Sequence, residues 1–399
     1  MRKAKPNRLL QGLVDEHAQR AGLGLTRHRR TLDAPVGVHV QDRDGGSAKL
    51  SFLSNDYLGL AGHPDLRQAL ADGALQWGAG SGASPLVSGH LGCHADAEAA
   101  LAEFVGAEAS LLFITGYMAN LAVITSLLDH ADDVVFSDAL NHASLIDGCR
   151  LSRARVVPYA HGDLQMLQGL LLAHPGRRRL IATDAVFSMD GDQADLGSLL
   201  ALAELHDTLL LVDDAHGFGV QGPQGRGSVA AANLHSERVI LMGTLGKAAG
   251  LSGAFVAGDA RVIEHLVQRS RSYIFSTSPA PAVAAAIPSA LRLIAAGDAR
   301  RRHVQALRTC LQEMAAQWRF TLPWGETPIA PVLVGEAAVT MTLAAALAQQ
   351  GVLVAGIRPP TVPLGSSRLR ISLSASHQLE DLRTLQSAAR MVGFEVDSA

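Results

Sequence analysis

From about residue 95 the chain alternates short apolar runs with amphipathic ones. Apolar positions recurring every three or four residues predict helices over 95–105, 117–128, 164–173 and 196–205. Between them, compact runs rich in Val, Ile and Leu predict strands at 111–114, 134–136, 155–158, 180–182 and, as an unbroken Leu-Leu-Leu-Val, at 209–212. Two further strand-like runs, 239–242 and 254–256, complete the series. This β-α repetition predicts an α/β fold: a mostly parallel sheet with helices on both faces. A stretch holding Pro279, Pro281 and Pro288 then predicts a domain boundary near residue 285. Beyond it the texture changes to an Arg-rich helix at 299–318, a strand at 331–334, a helix at 339–350, strands at 352–354 and 369–373, and a closing helix from Leu379. The expected organisation is an N-terminal segment (1–50), a large domain (51–285) and a small α+β domain (286–399).

Composition narrows the function classes. With 48% hydrophobic and 18% charged residues the chain is ordinary globular material, and a net charge of -3 gives no footprint for nucleic acid or an anionic membrane. Three widely spaced cysteines, Cys93, Cys149 and Cys310, argue against a disulfide framework and for a reducing compartment, the cytoplasm. Arg2, Lys3, Lys5 and Arg8 precede an apolar run broken at Gln11 and Gly12, too short for a signal-peptide core. The uncharged stretch 109–128 carries polar residues and Gly116, so it reads as strand, turn and helix rather than a membrane span.

Three motifs invite chemistry and fail. Gly217, Gly219 and Gly222 have dinucleotide-binding spacing, but Pro223, Gly225 and Gly227 follow where a helix must start. Gly246-Lys247 lacks the upstream Gly and following Ser or Thr of a phosphate loop. His90, Cys93 and His94 have no second cluster to complete a metal shell, so no metal is expected.

A different constellation holds. Asp213 and His216 stand at the C-terminal end of the apolar strand, where open α/β sheets bind ligands. Lys247 sits among Gly246, Ala248, Ala249 and Gly250, surroundings that disfavour an ammonium and suit Schiff-base chemistry. A lysine that forms a Schiff base and an aspartate for a ring nitrogen together point to pyridoxal phosphate. A carboxylate ~4 Å from a pyridinium, at an effective dielectric of about 20, gains ~4 kcal/mol, about three pKa units. Gly116-Tyr117 at a strand-to-helix turn and Thr244 are candidates for the phosphate, His142 for stacking on the ring, and Ser188 for the ring hydroxyl.

These residues resemble the α-oxoamine synthases, fold-type I pyridoxal-phosphate enzymes with an aminotransferase-like fold. The likeness is carried by Ser-Asn-Asp-Tyr-Leu-Gly-Leu at 54–60, Gly-Ser-Gly-Ala-Ser at 80–84, Leu-Val-Ser-Gly at 86–89, Asn-His-Ala-Ser at 141–144, Val-Phe-Ser-Met-Asp-Gly-Asp at 186–192, Val-Asp-Asp-Ala-His-Gly at 212–217, Thr-Leu-Gly-Lys at 244–247 and Arg-Leu-Arg at 368–370. Pro85 departs from the polar or basic residue more usual in relatives. The resemblance implies that Lys247 holds the cofactor and moves the Cα proton, His142 stacks, Asp213 faces the pyridinium, and His216 and Ser188 contact the ring hydroxyl. It implies Arg370 for the amino-acid carboxylate, and Thr361 and Arg27 for the acyl substrate. It further implies a homodimer in which Ser276 and Thr277 reach the neighbour's phosphate. Residues 357–363, Ile-Arg-Pro-Pro-Thr-Val-Pro, look like the loop of the members that condense L-alanine with a pimeloyl thioester, on CoA or a carrier protein, in biotin synthesis. Sister enzymes using glycine or serine are the alternative.

Overall fold

The computed structural model describes residues 7–22, 25–27, 29–43 and 47–394. Arg2, Lys3 and Lys5 of the N-terminal basic cluster, and His28, lie outside the described residues. The strands are β1 (His39–Val40), β2 (Lys49–Ser51), β3 (Ala109–Phe113), β4 (Val134–Asp138), β5 (Arg155–Tyr159), β6 (Arg179–Asp184), β7 (Leu209–Asp213), β8 (Val239–Thr244), β9 (Ala254–Gly258), β10 (Ile329–Gly335), β11 (Val352–Leu353), β12 (Ala355–Ile357) and β13 (Ser367–Ser372).

Seven of these form one sheet in the order β3-β9-β8-β7-β6-β4-β5. Neighbours from β8 to β5 run parallel, while β9 is antiparallel to both β3 and β8. β4 and β9 are buried along their whole length, and β7 all but Leu209, which is why they read as apolar runs. The helices predicted at 164–173 and 196–205 are Leu164–Ala173 and Leu196–Leu205, each started by an aspartate, Asp163 or Asp195, that accepts a backbone N–H. The uncharged stretch 109–128 is β3 followed by the helix Gly116–Leu127, started by the Thr115 side chain. Among the described residues no single helix is long and apolar enough to cross a membrane.

The expected boundary near residue 285 falls inside a helix. Pro281–Ala295 runs through Pro288, with Pro281 in its first turn where its missing N–H costs nothing. Ala284, Ile287, Ala290 and Ile294 pack with Tyr57, Leu66, Ala97 and Phe255 in the core of the large sheet. A second core gathers Val304, Leu307, Leu311, Val332, Leu347, Ile371 and Leu385 around β10, β13 and β12, and takes in Val38, Leu50 and Phe52. β2 pairs in parallel with β11, so residues expected in a separate N-terminal segment belong to the same packing unit as the C-terminal part. The helix Arg8–Gly22 has no buried residue.

The glycine run that imitates a dinucleotide motif has a packing role. Asp214 is fully buried and accepts hydrogen bonds from the Ser228 hydroxyl (2.5 Å) and backbone N–H (2.7 Å). A Cβ on Gly217 would lie 2.1 Å from both Asp214 Oδ1 and Ser228 Oγ, and one on Gly227, at φ +104, 2.2 Å from Asp214 Oδ2. The loop wraps a buried carboxylate and carries glycine at 217 and 227 because a side chain at either position would collide with it. Gly217→Ala is therefore expected to destabilise the protein by about 3 kcal/mol. Gly169→Ala, in a helix with nothing within 4 Å of the new methyl, is expected to gain about 0.5–1 kcal/mol. Denaturant unfolding checks both, and equal midpoints for the two variants would contradict this account.

Candidate active site

The strand order places a crevice where connections change direction. β4 continues outward to β5, whereas β6 leads to β7 and β8 on the other side, so the C-terminal ends of β4 and β6 part at a switch point. Asn141 spans the gap: its Nδ2 donates to Ala182 O (2.7 Å) and its Oδ1 accepts from the Asp184 N–H (3.0 Å). The next residue, His142, donates its backbone N–H to Asp184 Oδ2 at 2.6 Å. Its ring Nδ1 meets Ser144 Oγ at 2.7 Å, starting the helix Ala143–Leu151.

At these strand ends lies a cavity of about 190 Å³ lined by Gly116, Tyr117, His142, Ser144, Asp184, Asp213, Ala215, His216, Met242, Thr244 and Lys247. Each of the eleven stands toward the C-terminal end of a strand, in the turn after it, or in the first turn of the helix that follows. Larger hollows elsewhere, such as the one of about 370 Å³ around Arg178, Arg238 and Arg261, hold none of this chemistry.

Register decides the electrostatics. Asp184 and Asp213 are partners across β6 and β7, which brings two carboxyl groups to one spot. Burial, with the Asp213 charge beside it, pushes the Asp184 carboxyl far above the usual range. Asp213 is held by Asn120, whose Nδ2 donates to Asp213 Oδ2 (2.6 Å) and Ser144 Oγ (2.9 Å), and by the Ala215 N–H at 3.0 Å. Burial lowers the Lys247 ammonium to about 8, against the pull of Asp213 and Asp184, with Arg370 adding to the lowering. His142 is lowered by burial, and His216 well below its ordinary value by burial with the Lys247 and Arg370 charges behind it. Lys247 Nζ and His216 Nε2 lie 2.7 Å apart.

Seven of the predicted residues thus meet in one cavity: Gly116, Tyr117, His142, Asp213, His216, Thr244 and Lys247. Arg370 stands beside it, buried, donating from Nε to Ser188 O (2.6 Å) and from its terminal nitrogens to Asn55, Ser372 and Tyr57. Ser188 meets this arginine through its carbonyl and does not line the cavity. Arg27 and Thr361 are exposed and apart from it, but their segments are joined where Arg358 donates to Thr26 O at 2.8 Å. Ser276 and Thr277 do not line the cavity of their own chain. His94 accepts the Leu91 N–H and meets Pro279 O, while His90 pairs with Glu98.

Sequence reading missed Asn120, Ser144, Asp184 and Met242 as site residues. Asn120 lies one helical turn beyond Tyr117, a spacing that puts a polar residue on the cavity side of an otherwise apolar helix. Asp184 ends an apolar strand just as Asp213 does, the same signal.

With only four lysines in the chain, the depressed amine is easy to read. Reductive methylation of the cofactor-free protein by formaldehyde at pH 8 should modify Lys247 ahead of Lys49, which is ion-paired with Asp42 at 2.6 Å. Peptide mass mapping should show the Lys247 rate falling about fiftyfold between pH 8 and pH 6, as the free amine is lost below its pKa. A profile flat over that range would contradict the depressed value.

Comparison with known proteins agrees with the geometry. The family model for class I and II aminotransferases matches residues 47–388. Curated 8-amino-7-oxononanoate synthases of Aromatoleum aromaticum and Herminiimonas arsenicoxydans are each 52% identical to the chain, over 95% and 94% of its length and 98% and 97% of theirs. Among solved structures, a serine palmitoyltransferase from S. paucimobilis with a bound PLP–myriocin aldimine superposes with a TM-score of 0.90 at 28% identity, covering 97% of this chain and 100% of that one. The 8-amino-7-oxononanoate synthase of Francisella tularensis gives 0.75 at 29% identity, covering 86% and 98%. The chain belongs to the class I and II aminotransferase family, in its α-oxoamine synthase branch alongside the 8-amino-7-oxononanoate synthases.

Proposed function

We propose that the protein is a pyridoxal-phosphate-dependent 8-amino-7-oxononanoate synthase, condensing L-alanine with a pimeloyl thioester in biotin synthesis. The observation that carries the chemistry is Lys247: an amine of depressed pKa, 2.7 Å from His216, in a cavity that also holds Asp213. The curated relatives, half identical over nearly the whole chain, carry the choice of substrates. Structural likeness does not separate this reading from a serine- or glycine-using sister, because both solved relatives are 28–29% identical.

The donor set fits the cofactor. Asp213, oriented by Asn120, would face the ring nitrogen; His142, pinned by Ser144, would stack on the ring; His216 would meet the ring hydroxyl. The free N–H groups at the start of the helix Gly116–Leu127 and the Thr244 hydroxyl would receive the phosphate. When bound, pyridoxal phosphate supplies an electron sink for the pair left at an amino acid's Cα.

The chain's own residues then manage charge and protons. Arg370 binds the alanine carboxylate and fixes which Cα bond is aligned to break. Lys247 Nζ, neutral in part near pH 8, takes the Cα proton and later returns one. A carbon–carbon bond forms between alanine Cα and the thioester carbonyl, and the carbon–sulfur bond breaks to release a thiol. The alanine carboxylate leaves as CO2, so three carbons plus seven less one give the nine-carbon product. Burial at the strand ends keeps water from competing for the thioester.

Arg27 and Thr361 we assign to the acyl chain, at the surface where their segments meet. Ser276 and Thr277 we assign to the partner's site in a homodimer. The free cysteines Cys93, Cys149 and Cys310 accord with a cytoplasmic enzyme. The test is an absorbance spectrum with pyridoxal phosphate, then alanine, then pimeloyl-CoA with thiol release followed. A visible band that alanine shifts, and thiol release at least about tenfold faster with alanine than with glycine or serine, are expected. Lys247→Ala should bind the cofactor without the band and lose at least about 1,000-fold in turnover. Thiol release fastest with serine or glycine would move the chain to a sister activity.

A further inference from the structure

The five N–H groups of Arg370 are all committed. Nε donates to Ser188 O; one terminal nitrogen donates to Asn55 Oδ1 (3.1 Å) and Ser372 Oγ (2.8 Å); the other donates to Asn55 Oδ1 (3.1 Å) and Tyr57 Oη (3.3 Å). A carboxylate can reach this guanidinium only by displacing a partner, and Asn55 Oδ1, which takes two of the five, is the one whose place a carboxylate fits. The displaced oxygen is also within 3.1 Å of the Tyr57 hydroxyl. Tyr57 is fully buried, and its hydroxyl stands 2.7 Å from His216 Nδ1, whose other ring nitrogen is 2.7 Å from Lys247 Nζ. An unbroken chain of hydrogen bonds therefore joins the arginine to the reactive lysine.

We propose that Tyr57 is a positioning residue that, through His216, couples carboxylate binding at Arg370 to the proton held at Lys247. The proposal rests on the roles assigned above to Arg370 and Lys247. The chain has two arrangements. With Asn55 Oδ1 saturated by Arg370, the Tyr57 proton points to His216 Nδ1; the imidazole then carries its proton on Nε2, facing Lys247, and only a neutral amine can accept it. With a carboxylate on Arg370, Asn55 Oδ1 is freed to accept the Tyr57 proton; His216 then holds its proton on Nδ1, donates it to Tyr57 Oη, and offers Nε2 as an acceptor to a protonated Lys247. The extra proton comes from solvent. Carboxylate binding thus favours proton uptake at Lys247, and linkage makes the converse hold.

The charged groups around this chain set a direct field as well. Asp213 and Asp184 raise the Lys247 affinity for a proton, and Arg370 lowers it; Lys247, Arg370 and His142 act on His216. A carboxylate on Arg370 would cancel part of the arginine's field whatever Tyr57 does, so the experiment must isolate the relayed part. Tyr57→Phe keeps the buried ring and removes only the hydroxyl. Asn55→Leu removes the alternative acceptor and leaves the Tyr57 proton on His216.

The probe is propionate, a carboxylate with no amine to react, with propionamide as the uncharged control. Two pH titrations are read: the visible band of the pyridoxal-phosphate-loaded enzyme, and the Lys247 methylation rate in the cofactor-free chain. In the parent, propionate should raise both midpoints by about one pH unit and propionamide should not. In Tyr57→Phe, with propionate still bound and the thermal midpoint retained, the shift should fall to less than about half. Asn55→Leu should lose it likewise. A full shift in either variant, or no shift in the parent, overturns the coupling. If peptide mapping shows that Lys247 is not the reactive lysine, the assignment of the site itself falls, a failure visible in the parent before any variant is made.

Discussion

The site depends on holding an amine out of water beside two carboxyl groups without letting it become a plain ion pair. If Lys247 sat in solvent it would stay an ammonium at neutral pH; if it closed on Asp213 alone it would be held charged more firmly still. The structure avoids both. Burial lowers the amine, burial and its neighbour's charge push the Asp184 carboxyl far above the usual range, and Asp213 spends its oxygens on Asn120 and the Ala215 N–H. The parallel register that sets Asp184 beside Asp213 therefore shapes the electrostatics of the site as well as the packing of the sheet.

Most of this was legible because a fully buried parallel sheet writes itself as apolar runs with polar residues at the ends. The end of each run is where Thr244, Asp213 and, after a turn, Gly116 and His142 stand, so site residues could be read from strand limits alone. Less legible were contacts made across the fold. Asn120 looks like one polar residue among several on a mostly apolar helix until Asp213 is seen beside it, and Tyr57 looks like core until its hydroxyl is traced to His216. The domain limit failed for a local reason: Pro281 and Pro288 read as breakers, yet one lies in a first turn and the other is accommodated within an otherwise continuous helix. The N-terminal strands went unread because pairing between residues 302 positions apart leaves no periodic trace.

Asp214 shows how neighbouring residues of one type can part in role. Asp213 points into the cavity, whereas Asp214, next in sequence and therefore on the other side of the strand, is fully enclosed by Ser228 and the glycine loop. Burial raises its carboxyl to about 7. A raised acid favours the folded state most at low pH, and that contribution is lost as pH rises from about 4 through 7. The loop that encloses it needs glycine for space, and a search for nucleotide motifs sees only the glycines.

The same logic accounts for the difference in depth between the residues proposed for the acyl chain and the cluster around Lys247. Proton transfer at Cα needs a dry, fixed donor set, and the strand ends supply it because the sheet cannot move without breaking its ladder. A long flexible acyl chain needs reach rather than rigidity, and the segments holding Arg27 and Thr361 are loops tied to each other by a single arginine. Tyr57 lies between these regimes: rooted in the large core, it contacts Arg370 on β13 of the other packing unit. The contact between Arg370 and Tyr57 crosses from one unit to the other at 3.3 Å, whereas Tyr57 and His216 are 2.7 Å apart. The contact between the two units and the hydrogen bonds that lead to Lys247 therefore meet at one hydroxyl.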